Sequence, residues 1–143
     1  MNLNKFTLKA QEAIEKALEI AADYDHQAVE PSHVLKALLS DNQNVVVTIL
    51  KKMGSSLDQI NKQLDEKLGG KPKVKGSAAS NQYLSQSANT VFEKAKKSAS
   101  DLGDDYISSE HILLGITEGS GDATEILKNQ GVKKDDILQV LKD

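Results

Sequence analysis

One seven-residue pattern occurs twice in the sequence. Residues 29–35 are Val-Glu-Pro-Ser-His-Val-Leu, and residues 107–113 are Ile-Ser-Ser-Glu-His-Ile-Leu. The two histidines, His33 and His111, are 78 residues apart. A spacing this long in a chain of 143 residues predicts two copies of one folding unit.

The same spacing aligns other parts of the two halves. Glu15-Lys16-Ala17 aligns with Glu93-Lys94-Ala95, and beyond the histidines a spacing of 77 residues aligns Gly54 with Gly131. One residue is therefore missing from the second copy. Two helical segments of merely similar composition are the alternative, but they would hardly keep the core positions and both glycines in order.

Apolar residues recur at steps of three and four along most of the chain, which is typical of amphipathic helices. Thr7 and Ser85 stand where N-caps are expected, and Pro31 and Ser108 stand at the helix starts before the histidines. No stretch longer than four residues alternates like a strand. The sequence therefore predicts an all-α fold of eight helices, arranged as two pseudo-twofold-related four-helix repeats.

Residues 69–80 have no helical period and contain Gly, Pro and Ser, so they are predicted to link the repeats. We expect repeat 1 at residues 1–68 and repeat 2 at residues 81–143. The two repeats together are expected to form one domain, because a chain of 143 residues buries roughly 68–70% of its unfolded surface.

The composition excludes several classes of partner. With 18 basic and 21 acidic residues the net charge is −3, which gives no field to attract nucleic acid or an acidic membrane. There is no cysteine, and no apolar run approaches the ~20 residues of a membrane span. The N-terminus lacks the apolar segment of a signal peptide. These features lead us to expect a cytoplasmic protein with neither nucleic acid nor membrane as a partner.

No pattern of catalytic, metal-binding or cofactor-binding residues is found. His33 and His111 are symmetry mates next to buried aliphatic positions, so they are predicted to cap or pack rather than to bind a metal. The phosphate-loop pattern Gly-x-x-x-x-Gly-Lys-Ser/Thr is absent. The acid pairs Asp104-Asp105 and Asp135-Asp136 are predicted to be solvated. The sequence predicts that this chain is not itself an enzyme.

Three motifs give the sequence a resemblance to a known family. They are Phe6-Thr7 before the first helix, the Val-Glu-Pro-Ser-His of residues 29–33, and the Gly-Asp-Asp-Tyr-Ile-Ser-Ser-Glu of residues 103–110. The chain resembles the N-terminal double-repeat domain of the Clp AAA+ unfoldases, and most closely the disaggregase (ClpB) branch. This resemblance implies a helical domain tethered to a hexameric ATPase ring, whose ATP and Mg²⁺ sites lie outside this chain.

The resemblance also implies a function. Such domains contact unfolded or aggregated polypeptide and help to load it into the pore of the ring, sometimes with a co-chaperone or adaptor. The alternative is adaptor docking on a Clp protease unfoldase. Relatives of that branch often carry Glu before the histidine in both repeats, a pair associated with phosphorylated arginine. Here Glu110 precedes the second histidine but Ser32 precedes the first, which favours the disaggregase.

The resemblance assigns substrate binding to Thr7, Asp104 and Glu110. Each residue also has a structural explanation: Thr7 caps its helix, Asp104 holds its loop, and Glu110 complements the helix dipole. His111 departs from the family, since several ClpB domains have an apolar residue at this position. We expect a client segment to bind weakly in a shallow groove between the repeats, at a rim formed by Asp104 and Glu110.

Overall fold

The computed structural model describes residues 2–75 and 81–142. A single-turn 3-10 helix, Leu3–Lys5, precedes the first α-helix. The described helices are α1 Leu8–Asp23, α2 Pro31–Leu39, α3 Val45–Lys52, α4 Leu57–Gly69, α5 Gln86–Asp101, α6 Ser109–Thr117, α7 Asp122–Asn129 and α8 Lys134–Lys142. The predicted all-α fold of two four-helix repeats is confirmed, and none of these helices is long and apolar enough to cross a membrane.

Equivalent helices of the two repeats begin in the same way. The Thr7 hydroxyl accepts a hydrogen bond from the Ala10 N–H at 3.2 Å, and the Ser85 hydroxyl accepts one from the Ala88 N–H at 3.0 Å. The backbone angles of the two caps agree closely, with φ −64° and ψ 162° at Thr7 and φ −65° and ψ 165° at Ser85. Both predicted N-caps are therefore confirmed.

The repeats also end their third helices alike. Gly54 and Gly131 follow α3 and α7 with φ values of 74° and 75°, in the left-handed region that favours glycine. The equivalent turns after α1 and α5 have Asp25 at φ 59° and Gly103 at φ 76°. The 77- and 78-residue spacings in the sequence thus correspond to matching backbone conformations.

Each repeat pairs its first residues with the other repeat. Strand β1, Ala28–Val29, pairs in parallel with strand β2, Tyr83–Leu84, in the register Ala28 to Tyr83 and Val29 to Leu84. The equivalent contact in the other direction is a parallel bridge between Phe6 and Ile107. The start of repeat 1 is therefore bonded to repeat 2, and the start of repeat 2 is bonded to repeat 1.

These strands were not predicted, because the sequence contains no stretch longer than four residues that alternates like a strand. A two-residue strand is too short to produce a recognisable alternation, and its position is set by the partner segment from the other repeat. Because each strand has only two residues, the strands add backbone pairing between the repeats and do not change the all-α class of the fold.

The core is continuous across the two repeats. Helix α3 packs on α6, and its counterpart α7 packs on α2, so each repeat covers the other. The Phe6 ring meets the Phe92 ring edge to face with centroids 6.0 Å apart. The buried Asn44 amide donates to the Ser109 hydroxyl at 2.9 Å. The two repeats are thus joined by apolar packing and by buried polar contacts.

The predicted domain boundaries stay a prediction. Helix α4 ends at Gly69, the first residue of the predicted linker. Residues 71–75 are described and have no regular secondary structure, whereas the remainder of the linker at residues 76–80 lies outside the described residues.

A close helix contact provides a test of the packing. A methyl group added at Gly115 of α6 would clash with the Val91 backbone carbonyl of α5. We expect Gly115→Ala to lower the free energy of unfolding by about 1–3 kcal/mol, as overpacking does, measured by urea denaturation. Gly69→Ala is the matched control, because a methyl group there meets no atom within 4 Å. Equal effects of the two substitutions would contradict the close packing.

Candidate functional site

The three predicted site residues belong to one junction between the repeats. The Thr7 N–H donates to the Ile107 carbonyl at 3.0 Å. Asp104 and Glu110 lie three residues before and three residues after Ile107 in the chain. We call this region, residues 6–8 together with residues 101–110, the Thr7 junction.

Two of the three residues have the structural contacts that the sequence suggested. The Thr7 hydroxyl caps α1, and the Asp104 carboxylate accepts from His111 Nε2 at 2.8 Å. The Asp104 side chain is nevertheless 50% exposed, so its charge is accessible. Glu110 lies in the first turn of α6, and no described residue forms a hydrogen bond or ion pair with its carboxylate.

The Thr7 junction carries most of the exposed large apolar side chains. Among the described residues these side chains number five, and three of them, Leu8, Leu102 and Tyr106, lie at this junction. Leu8 is 75% exposed and Tyr106 is 56% exposed. Scattered exposed apolar residues need no explanation, but three at one junction that also contains the half-exposed Asp104 form a candidate contact surface.

A cleft of about 600 Å³ adjoins the junction. Its apolar lining comes from both repeats: Phe6, Leu84, Phe92 and Ile107. Thr7, Asp104 and Glu110 are not among the described residues that line it. The inter-repeat cleft and the three predicted residues are therefore neighbouring surfaces that meet at Phe6 and Ile107.

Both histidines of the repeated pattern cap their helices. His33 Nδ1 accepts from the Glu30 N–H at 2.9 Å, and His111 Nδ1 accepts from the Ser108 N–H at the same distance. The proton of each ring is therefore on Nε2. His111 donates it to Asp104, whereas His33 donates it to Nδ1 of His26 at 2.9 Å. The two repeats thus support the same cap with different partners.

Both histidines of repeat 1 are buried, and their pKa values are lowered. Burial, the neighbouring His26 and the Lys71 ammonium lower the pKa of His33 from 6.5 to about 4. Burial, followed by the charges of Lys71 and Lys73, also lowers the pKa of His26. The His26 ring stacks on Tyr24 with centroids 5.4 Å apart. The pair is therefore neutral in the folded protein near pH 7.

Within residues 2–75 and 81–142, no group of three or more His, Cys, Asp and Glu residues could hold a metal ion. The two histidines of the repeated pattern cap helices, as the sequence suggested. The Thr7 junction presents the exposed apolar side chains of Leu8, Leu102 and Tyr106 and the half-exposed carboxylate of Asp104.

Comparison with known proteins decides the family. The model of the Clp repeat (R) N-terminal domain matches residues 5–130. The chain belongs to the Clp repeat N-terminal domain family.

Curated relatives of this Clp domain include two ClpB chaperones. Chaperone protein ClpB from Bacillus cereus is 36% identical over 143 residues, covering 99% of this chain and 16% of the relative. Chaperone protein ClpB from Bacteroides thetaiotaomicron is 32% identical over 143 residues, covering 100% of this chain and 16% of the relative. The chain spans about a sixth of the length of these relatives.

A solved structure resembles the Clp domain over nearly its full length. The Hsp104 N-terminal domain from Candida albicans superposes with a TM-score of 0.80 at 24% identity, covering 95% of this chain and 88% of that chain. An identity this low shows the fold alone. The predicted resemblance to the Clp N-terminal domains, with ClpB relatives, is confirmed, and the matching unit is an N-terminal domain rather than an ATPase domain.

Sequence reasoning missed two features of this Clp domain. It did not pair His26 with His33, although the 78-residue spacing aligns His26 with Asp104 and could have suggested equivalent partners. It also gave no role to Leu8 and did not group it with Leu102 and Tyr106. That grouping depends on the Thr7–Ile107 bond, which is not visible in the sequence.

The His26–His33 pair predicts loss of stability in acid. Unfolded histidine has a pKa of 6.5 and folded His33 one of about 4, so its contribution is fully present above pH 6.5 and is lost as the pH falls towards 4. We expect the free energy of unfolding in urea to fall by about 2 kcal/mol between pH 7.5 and 5 through this residue.

The control variant is His33→Gln, since Gln at this position of a capping box still accepts from the N-cap N–H but does not titrate. Over the same pH range the free energy of unfolding of this variant should fall by ~2 kcal/mol less than that of the unmodified protein. If both proteins lose stability equally, the assignment of the acid sensitivity to His33 is wrong.

Proposed function

We propose that this Clp domain is the client-recognition domain of an ATP-dependent disaggregase. It contacts unfolded or aggregated polypeptide through the Thr7 junction and helps to deliver it to an AAA+ ring in the same parent protein. Thr7, Asp104 and Glu110 contribute to this contact. ATP and Mg²⁺ are bound by the ring, outside the residues of this chain.

The observation that carries the proposal is the composition of the Thr7 junction. Leu8, Leu102 and Tyr106 are exposed there beside the carboxylates of Asp104 and Glu110. Exposed apolar side chains match the chemical feature that distinguishes an unfolded chain from a folded one, since an unfolded chain exposes the side chains of its core. The flanking carboxylates favour client segments that also carry Lys or Arg.

The contact is expected to be weak. Three apolar side chains offer far less area than the ~1,200–2,000 Å² that stable protein–protein interfaces bury. Weak binding suits transfer, because a client held tightly by the domain would not move on to the pore. A high off-rate is therefore part of the proposed role.

The alternative of adaptor docking through paired carboxylates has less support in repeat 1. Ser32 occupies the position equivalent to Glu110 and is 3% exposed. Repeat 1 therefore presents no accessible carboxylate there, which supports the disaggregase branch over recognition by a symmetric pair of acids. The ClpB relatives favour the same branch.

Two tyrosines give a matched test of the contact surface. Tyr106 and Tyr83 are each 56% exposed, but only Tyr106 lies at the Thr7 junction. We expect Tyr106→Ser to weaken binding of a permanently unfolded protein, such as reduced carboxymethylated α-lactalbumin, about fivefold, since an aromatic contact contributes about 1 kcal/mol. Tyr83→Ser should leave binding unchanged. Binding is measured by NMR titration of the isotopically labelled chain.

The charged residues are tested in the same titration. Asp104→Asn keeps an acceptor for His111 Nε2 and removes only the charge, and Glu110→Gln is its counterpart. Both should weaken the binding of a basic client more than that of an acidic one. Chemical-shift changes confined to α3 and α4, or equal weakening by the Tyr83 and Tyr106 variants, would reject the Thr7 junction as the contact surface.

A further inference from the structure

The loops that follow α1 and α5 are equivalent by sequence spacing but differ in how they are covered. In repeat 1, residues 71–74 run across the loop of residues 23–28, and the Val74 N–H donates to the Asp25 carbonyl at 2.7 Å. In repeat 2, residues 101–106 are six consecutive exposed residues. Of their six counterparts in repeat 1, only Asp23 is exposed.

The backbone carbonyls of the two loops show the same difference. In repeat 1, three consecutive carbonyls accept hydrogen bonds: Asp25 from the Val74 N–H, His26 from the Gln82 side chain at 3.2 Å, and Gln27 from the Tyr83 N–H at 3.0 Å. Val74 belongs to the predicted linker, whereas Gln82 and Tyr83 belong to the start of repeat 2.

The equivalent carbonyls in repeat 2 belong to Gly103, Asp104 and Asp105. No residue in the described part of the chain donates a hydrogen bond to any of them. Gly103, with φ 76°, and Asp25, with φ 59°, occupy equivalent turns, and the N–H groups of Asp104 and His26 that follow them bond to the equivalent carbonyls of Ala99 and Ala21 at 2.8 Å. Repeat 2 thus leaves open the three acceptors whose counterparts in repeat 1 are filled by Val74, Gln82 and Tyr83.

We propose that residues 103–105 bind an extended client segment that carries basic side chains, with a client N–H donating to the Gly103 carbonyl as the Val74 N–H donates to the Asp25 carbonyl in repeat 1. This inference rests on the proposed function and names the chemistry of the client. A backbone N–H of the client fills the open Gly103 carbonyl, as when an extended peptide bonds to an exposed backbone edge, and the client's basic side chains meet the carboxylates of Asp104 and Asp105.

Charge complementarity identifies the occupant as basic. The segment that covers repeat 1 is Lys-Pro-Lys-Val, and Lys71 also lies 3.8 Å from the Asp122 carboxylate. The open loop in repeat 2 has the exposed carboxylates of Asp104 and Asp105, with Glu110 in the following helix. Asp105 forms no hydrogen bond or ion pair with the described residues, so its charge is available to a ligand.

The test uses the chain's own covering sequence as the probe. The peptide Gly-Lys-Pro-Lys-Val-Lys-Gly is titrated into the isotopically labelled 143-residue chain, and amide chemical shifts are followed. We expect fast-exchange shifts at residues 103–106. Two matched peptides should fail to cause them: one with Glu in place of each Lys, and one with N-methylvaline, which lacks the donor N–H but keeps the charge.

Protein variants complete the test. Asp105→Asn should weaken peptide binding about two- to fivefold, the effect of losing one exposed ion pair, whereas Asp136→Asn in the first turn of α8 should not. Equal binding of the N-methylated peptide, or shifts at residues 23–28 from displacement of the covering segment, would overturn the proposal. Concentration-dependent shifts at residues 103–106 without peptide would assign the surface to a second copy of the chain and overturn it too.

The outcome separates this inference from the proposed function. If the unfolded protein shifts Leu8, Leu102 and Tyr106 but the basic peptide shifts nothing, only the inference about basic client segments fails. If neither ligand changes the spectrum, the proposed function fails with it.

Discussion

Reciprocal backbone pairing between the repeats is the constraint on which the rest of the structure depends. The Thr7 N–H bonds to Ile107 of repeat 2, and the Ser85 N–H bonds to Val29 of repeat 1, both at 3.0 Å. Each pairing places the start of one repeat directly before the histidine-capped helix of the other, which is α6 in repeat 2 and α2 in repeat 1. The core helices can then pack across the boundary, and the cleft and the Thr7 junction are formed where the two repeats meet.

Duplication with divergence explains why only one of the two junctions resembles a binding surface. Both repeats use a histidine to cap the second helix, but repeat 1 supports it with buried His26 and repeat 2 with half-exposed Asp104. The loop carbonyls of repeat 1 are bonded by the linker residue Val74 and by Gln82 and Tyr83 at the start of repeat 2. Repeat 2 has kept its carbonyls open and its carboxylates exposed. Repeat 1 thus buries the partner of its cap, and repeat 2 leaves the equivalent partner accessible.

The helical fold could be predicted from the sequence, because its signals are local. The periodicity of apolar residues, the caps Thr7 and Ser85, and Pro31 at a helix start depend on nearest neighbours along the chain. The strands could not be predicted, since a two-residue pairing depends on a partner more than 50 residues away. The resemblance predicted three site residues, but only the fold shows that Thr7 is bonded to the segment that contains Asp104 and Glu110.

The exchanged segments bear on what a single repeat could do alone. In one repeat by itself, the starting segment has no backbone to pair with. The residues before its histidine-capped helix likewise have no partner segment. A second identical copy, related by a twofold axis, would satisfy both, which is the logic of an isologous dimer. Joining the two copies in one polypeptide makes that pairing independent of protein concentration. It also allows the two repeats to differ in sequence. A single chain can therefore present one covered and one open version of the same surface.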